Sequence, residues 1–255
     1  MSAATSDMAM GADFTLPRYR YLLQQAKQRY RFEPFGTDCA EPHVLWRHDI
    51  DYSMECALRV AEIEAEEGVR ATYFLLLSAP YYNLLDAPTA DMARAIAAMG
   101  HHIGLHFDPT VHAGSPASLE ENMQAEADIL QRVIRAPVGV MSFHNPAKAG
   151  VMDMAEPYIG GLLNVYGGAI RANYVYNSDS FGLWRFTPLH ELLATTTEPR
   201  LHLLTHPIWW CKQGDGPRRK IARLIADDAA RGQEIYDTLI RSAGMWDRVI
   251  AEETR

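Results

Sequence analysis

Hydrophobic positions along this chain switch repeatedly between a period near two and a period near 3.6 residues. Residues 1–16 show neither and read as a loose arm. Pro17 opens a helix over 17–30, with Leu22, Leu23 and Ala26 on one side. The segment HVLWRHD (43–49) reads as a strand that ends in polar residues instead of a turn. A helix over 54–67 follows, with Met54, Ala57, Leu58 and Ala61 at helical spacing and Gly68 placed to terminate it. The strand VRATYFLLL (69–77), a helix over 88–99 ended by Gly100, and the strand HHIGLHF (101–107) continue the alternation. Ser118 and Glu121 form a capping-box pair ahead of a helix that reaches Arg135. PVGVMSFH (137–144) is then a strand and 151–158 a helix. YVYNSDS (174–180) and RLHLLTHP (200–207) are strands, and 217–242 is a long closing helix.

Strands alternating with helices predict an α/β fold with a mostly parallel sheet. Polar residues at the C-terminal ends of several strands lie where a (β/α) barrel builds its active site. No break separates two cores, so 17–255 is expected to form one domain. The 255 residues, 48% of them apolar, suffice for one large core. The formal net charge is −8 and no long basic run occurs, which leaves no electrostatic footprint for nucleic acid. No apolar window approaches the ~20 residues of a membrane-spanning helix. The N-terminus has no positive start leading into an apolar stretch, so no secretory signal is expected. Cys39, Cys56 and Cys211 are scattered and odd in number, fitting neither a disulfide framework nor a CxxC metal site. A cytoplasmic enzyme with reduced thiols is the simplest expectation.

Strand alternation then sorts the chemistry. Over 101–108, His102, Gly104, His106 and Asp108 share one face, with Ile103, Leu105 and Phe107 on the other. His202, Leu204 and His206 lie together, as do Ser142 and His144, and as do Arg47, Asp49 and Asp51 if the chain stays extended. Four strands thus end in Asp or His. Burying such groups without partners is costly. One divalent cation would satisfy several of them, since zinc takes carboxylate oxygens and imidazole nitrogens and a catalytic site leaves a position for water. A neighbouring carboxylate would serve as base, and a histidine across the site as acid. Taken singly, each piece has a plainer reading. Asp-X-Asp is common in loops. His43, His101, His112, His190 and His202 read as structural or exposed. Adjacent tryptophans point oppositely, so at most one of Trp209 and Trp210 lines a site.

These residues resemble the polysaccharide deacetylase superfamily, the NodB-homology or carbohydrate esterase family 4 fold, over roughly residues 43–210. His48-Asp49-Ile50-Asp51 looks like its first motif, and Gly100-His101-His102-Ile103-Gly104-Leu105-His106 like its second. Ser142-Phe143-His144-Asn145-Pro146, Ser178 to Arg185, and Leu203-Leu204-Thr205-His206-Pro207 are similar to the remaining three. Together they look like the WbmS-like subgroup, associated with bacterial surface-polysaccharide gene clusters. The resemblance implies a distorted (β/α) barrel and a divalent metal, zinc first and cobalt, nickel, iron or manganese after it. It implies Asp49 as general base, Asp51 and His106 as metal ligands, His206 as general acid and Asp179 as its orienting partner. Position 110, where the family's next metal histidine falls, is Thr110. His144 is therefore the first choice for third ligand, Asp108 the second, and His102 lies one step deeper on the same face. Ile50 between the aspartates leaves their two roles open to exchange. The family's third-motif arginine is missing, with Arg47 or Arg185 as its replacement. Arg47, Asn145, Trp184, Arg185 and Trp209 are the candidate substrate contacts.

The expected activity is metal-dependent removal of an acetyl or formyl group from an N-acylated sugar, nucleotide-linked, lipid-linked or in an oligosaccharide, in O-antigen biosynthesis. The rivals are a hydrolase of non-sugar amides on the same fold and a glycan-binding module without catalysis. An amidohydrolase barrel is disfavoured because no His-x-His stands on the first strand.

Overall fold

The computed structural model describes residues 13–212 and 214–253. The chain divides into two compact units, Met1–Gly214 and Asp215–Arg255. The second unit consists of α8 (Pro217–Ser242), at the bounds its pattern predicts, and α9 (Trp246–Glu253), which the pattern did not reveal. No helix among the described residues is long and apolar enough to cross a membrane.

The first unit begins with α1 (Leu16–Lys27), one residue earlier than expected, because Thr15 caps it by accepting from the Arg18 amide. Of the expected arm, residues 1–12 lie outside the described residues. Residues 13–16 are tied down: the Leu16 amide donates to the Cys211 carbonyl at 2.9 Å, and Phe14 stacks on Trp184. Then come β1 (Arg31–Phe32), β2 (His43–Ile50), α2 (Met54–Glu66), β3 (Thr72–Leu76), α3 (Ala87–Ala98), β4 (His102–Phe107), α4 (Leu119–Ile134) and β5 (Val140–Phe143). The Ser118–Glu121 capping box at α4 is present. Gly68 follows α2 at φ +69°, the left-handed conformation that ends a helix without steric cost.

The expected helix over 151–158 does not form. Instead α5 (Pro146–Ala149) starts early because Pro146 suits a first helical turn, and Gly150 at φ +71° ends it. Short strands β6 (Tyr158–Ile159) and β7 (Leu162–Asn164), α6 (Gly168–Asn173), β8 (Val175–Ser178), α7 (Leu189–Thr195) and β9 (Arg200–Thr205) complete the unit.

Eight of the strands run in the order β6-β7-β5-β4-β3-β2-β9-β8, with β1 paired to β2 beside this path. Every pairing is parallel except β6 with β7. The sheet curls into an open half-barrel with β6 and β8 at the ends of this order, and the chain from Val165 to Tyr174 joins β7 to β8. β2 is buried along its whole length, as a central parallel strand covered on both faces must be.

A buried polar knot ties β2 to the helical layer. Glu64 of α2 is fully buried and accepts from Tyr19 (2.5 Å) and Tyr73 (2.6 Å), with His48 Nε2 at 2.8 Å. Burial pushes its carboxyl up, and the His48 and His101 imidazoles with the Tyr19 hydroxyl outweigh that and hold it below the usual range. Thr205 of β9 meets His48 Nδ1 at 2.9 Å. The knot fixes which way β2 faces: with His48 held against α2, Asp49 points to the interior. Glu64→Ala leaves these partners buried and unpaired, and is expected to cost about 3–5 kcal/mol in urea unfolding at an unchanged m value. A loss under about 1 kcal/mol would remove the knot from the account.

Candidate metal centre and active site

Asp51 follows the end of β2, His106 sits on β4 and His144 follows β5, so three separate strands deliver them to one edge. Asp51 Oδ1 lies 3.1 Å from His106 Nε2 and 3.2 Å from His144 Nδ1, and those two nitrogens are 3.2 Å apart. Asp51 Oδ1 is buried yet makes no well-angled hydrogen bond. Three donor atoms therefore converge with the carboxylate oxygen unsatisfied. This is the set a divalent cation fits, and Asp51, His106 and His144 are able to hold one. Burial pushes the Asp51 carboxyl up, but the two imidazoles and His206 beside it hold it well below the usual range. Burial pushes the His144 imidazole down, and Asp51 outweighs this and raises it.

The histidines are oriented from behind. His106 Nδ1 lies 3.3 Å from the Ser142 carbonyl, so Nδ1–H donates there and Nε2 keeps its lone pair for the cluster. The Asn145 side-chain amide meets His144 Nε2 at 2.7 Å. The contacting atom is the amide nitrogen, so Nδ2–H donates and His144 Nε2 accepts.

Asp49 is held apart from the cluster. Arg47 Nη2 donates to its Oδ2 at 3.1 Å and the Ser142 hydroxyl lies 3.4 Å from the same oxygen. The other oxygen, Oδ1, is buried with no hydrogen-bond partner. Arg47 is itself completely buried, lies between the rings of Phe74 and Tyr166, and donates to the Tyr166 hydroxyl at 2.8 Å. Gly104 makes this stack possible, since a Cβ there would meet the Phe74 ring at 2.5 Å. Thus Arg47 holds the Asp49 carboxylate, as expected of a replacement for the missing motif arginine, and is not among the cavity walls where a substrate contact would lie.

Across the site, His206 Nδ1 meets Asp179 Oδ1 at 2.6 Å, and the His206 backbone amide donates to both Asp179 oxygens at 2.9 and 3.0 Å. Trp210 Nε1 donates to Asp179 Oδ2 at 3.0 Å. His206 Nε2 faces the cluster, 3.9 Å from Asp51 Oδ2. Burial lowers the His206 pKa, but Asp179 overcomes this and the group is pushed up to about 9.

The groups open onto a cavity of about 510 Å³ that Asn145, Arg185 and Trp209 also line. Trp184, expected in the sugar pocket, is not among its walls: it stacks on Phe14 and donates to Asp13 at 2.9 Å. Asp108, an alternative ligand by sequence, turns to the Thr110 amide and hydroxyl. His102 stands at the opposite end of β4 from His106. Neither joins the cluster. Glu64, Trp210 and Tyr166 were missed. Trp210 had a signal, since the partner of a site-lining Trp209 must point away and find an acceptor. Tyr166 lies in a loop that carries no periodic pattern.

The sequence matches no protein-family model and no curated protein. Among solved structures, it is similar to a family 4 carbohydrate esterase from Bacillus anthracis, at 16% identity and TM-score 0.41 over 84% of this chain and 86% of that one. It is similar to a peptidoglycan N-acetylglucosamine deacetylase at 15% identity and TM-score 0.43, over 80% and 91%. It is also similar to a CE4-family pseudoenzyme from Bacillus anthracis at 14% identity and TM-score 0.41, over 78% of this chain and 64% of that one. The chain thus spans a little under two thirds of that pseudoenzyme's length. Likeness at this level concerns the path of the chain, and what the site does has to come from its own residues.

Proposed function

We propose that this protein is a metal-dependent hydrolase that removes the acyl group from an N-acylated sugar. The observation that carries this reading is the unsatisfied Asp51 Oδ1 between His106 and His144, flanked by two separately held proton-transfer groups, Asp49 and His206. A divalent cation, zinc first for this donor set, supplies Lewis acidity toward a carbonyl oxygen and lowers the pKa of water. Asp49, fixed by Arg47, takes the proton of the attacking water through its free Oδ1. His206 keeps a proton at neutral pH because Asp179 sits behind it, and gives that proton from Nε2 to the departing amine. Phe181 and Phe186, exposed yet lining the cavity, offer ring faces to a sugar. The motif resemblance supports a substrate from surface-polysaccharide synthesis, and the scattered, odd-numbered cysteines support a reducing, cytoplasmic setting.

Metal titration of chelator-treated protein should give one site per chain. His144→Ala is expected to weaken it at least ~100-fold, while Asp108→Ala leaves it unchanged; the reverse pattern would exchange the third ligand. Asp49→Asn should abolish hydrolysis of an N-acyl aminosugar with metal still bound, and loss of metal instead would swap the roles of the two aspartates. His206→Ala should slow turnover by about 10²-fold or more. Turnover needs protonated His206, so kcat falls as pH rises through its pKa. Asp179→Asn removes the main cause of the elevation and should move this alkaline limb to lower pH. An unmoved limb would take the pair out of the mechanism.

A further inference from the structure

The cavity does not stop at the cluster. Inward-facing residues of β9 line it from His206 through Leu204 to His202. Four residues of strand span about 13 Å. Tyr176, paired in register with His202 on the neighbouring strand and with its ring centroid 5.1 Å from that imidazole, and Tyr174 widen the same wall. Tyr174 reaches the start of β2, where its hydroxyl is 2.7 Å from His43 Nε2. Val165 and Ile170, from the segment that joins β7 to β8, also line it. A two-carbon acyl group ends about 1.5 Å beyond its carbonyl carbon and leaves this space unfilled.

The chemistry of the walls selects the occupant. Leu204, Val165, Ile170 and the Tyr176 ring present carbon, which suits methylenes, while the polar lining groups of the 165–174 segment are engaged elsewhere, Tyr166 by Arg47, Tyr174 by His43 and Arg171 by the Met152 carbonyl. His202 at the inner end is 4% exposed, its Nε2 has no hydrogen-bond partner, and burial with Arg47 nearby keeps it uncharged. The polar and exposed lining residues, Asn145, Ser180 and Arg185, belong to the loops after the strands, where the sugar would lie.

We infer that the space between the inner face of the β8–β9 pair and the 165–174 segment is an acyl channel, and that the hydrolase takes amides of straight-chain acids longer than acetyl. The inference rests on the hydrolase reading for the orientation of the substrate, with the amine toward His206 and the acyl arm inward. The test is calorimetric titration of the zinc-loaded protein with carboxylates from acetate to octanoate. Affinity should rise about fourfold per added methylene, the effect of burying one CH₂, through at least hexanoate. Leu204→Phe, or Ile170→Trp on the half-buried α6, should each cut the hexanoate-to-acetate affinity ratio at least tenfold. Affinity flat beyond acetate, or a ratio both variants leave unchanged, overturns the channel. Turnover of N-acetyl and N-hexanoyl glucosamine separates the two ideas. Faster hexanoyl hydrolysis supports both. Faster acetyl hydrolysis removes the long-chain preference and leaves the hydrolase standing. Hydrolysis of neither, with the carboxylate ladder intact, removes the hydrolase reading and keeps the channel.

Discussion

A carboxylate oxygen taken out of water has to meet hydrogen-bond donors or a cation, and Asp51 Oδ1 is placed where two imidazole nitrogens approach it without giving it a hydrogen bond. The rest of the site follows from that arrangement. His106 and His144 are turned toward the oxygen by groups behind them, the Ser142 carbonyl and the Asn145 amide. Asp49, two residues earlier on β2, stays out of the cluster because a buried arginine holds it. His206 faces the cluster from the far side with a carboxylate at its back. The result is one place for a cation and two places for protons, kept distinct by different partners.

The fold supplies this through strand alternation and little else. β2 carries His48 and Asp49 on opposite faces, and the Glu64 knot against α2 locks the strand so that the pair cannot exchange. A one-residue slip would send Asp49 into the helical layer and His48 into the site. Arg47 shows how far the support reaches: Gly104 on β4 admits the Phe74 ring, the ring packs under the guanidinium, and the guanidinium fixes Asp49. Burying this ion pair is worthwhile only with its geometry complete, and Tyr166 supplies part of that.

Most of the frame was legible in the sequence. Runs such as HVLWRHD and HHIGLHF mark parallel strands, and period-two sorting alone puts Asp49, Asp51, His106, His144 and His206 at one edge. His144 as third ligand followed from the same sorting and the gap at Thr110, and the structure brings it to Asp51. Features set by tertiary contacts were not legible. Nothing local says that Arg47 is fully buried or that Trp184 turns to Phe14 and Asp13. Glu64 looks like one more charge on an amphipathic helix until Tyr19, Tyr73 and His48 surround it. The segment 151–158 has helical composition, but Gly150 ends the preceding turn and Pro157 blocks a helix interior. His202 read as an ordinary strand histidine because the cavity beside it is walled by residues distant in sequence, Val165 and Ile170 among them.

The central claim is that Asp51, His106 and His144 together hold one divalent cation. X-ray absorption spectroscopy of the zinc-loaded protein tests it most directly. The account predicts a first shell with two imidazoles and carboxylate or water oxygens, reduced to one imidazole in His144→Ala. A shell that keeps both imidazoles in that variant, or that loses one in His206→Ala, would contradict it.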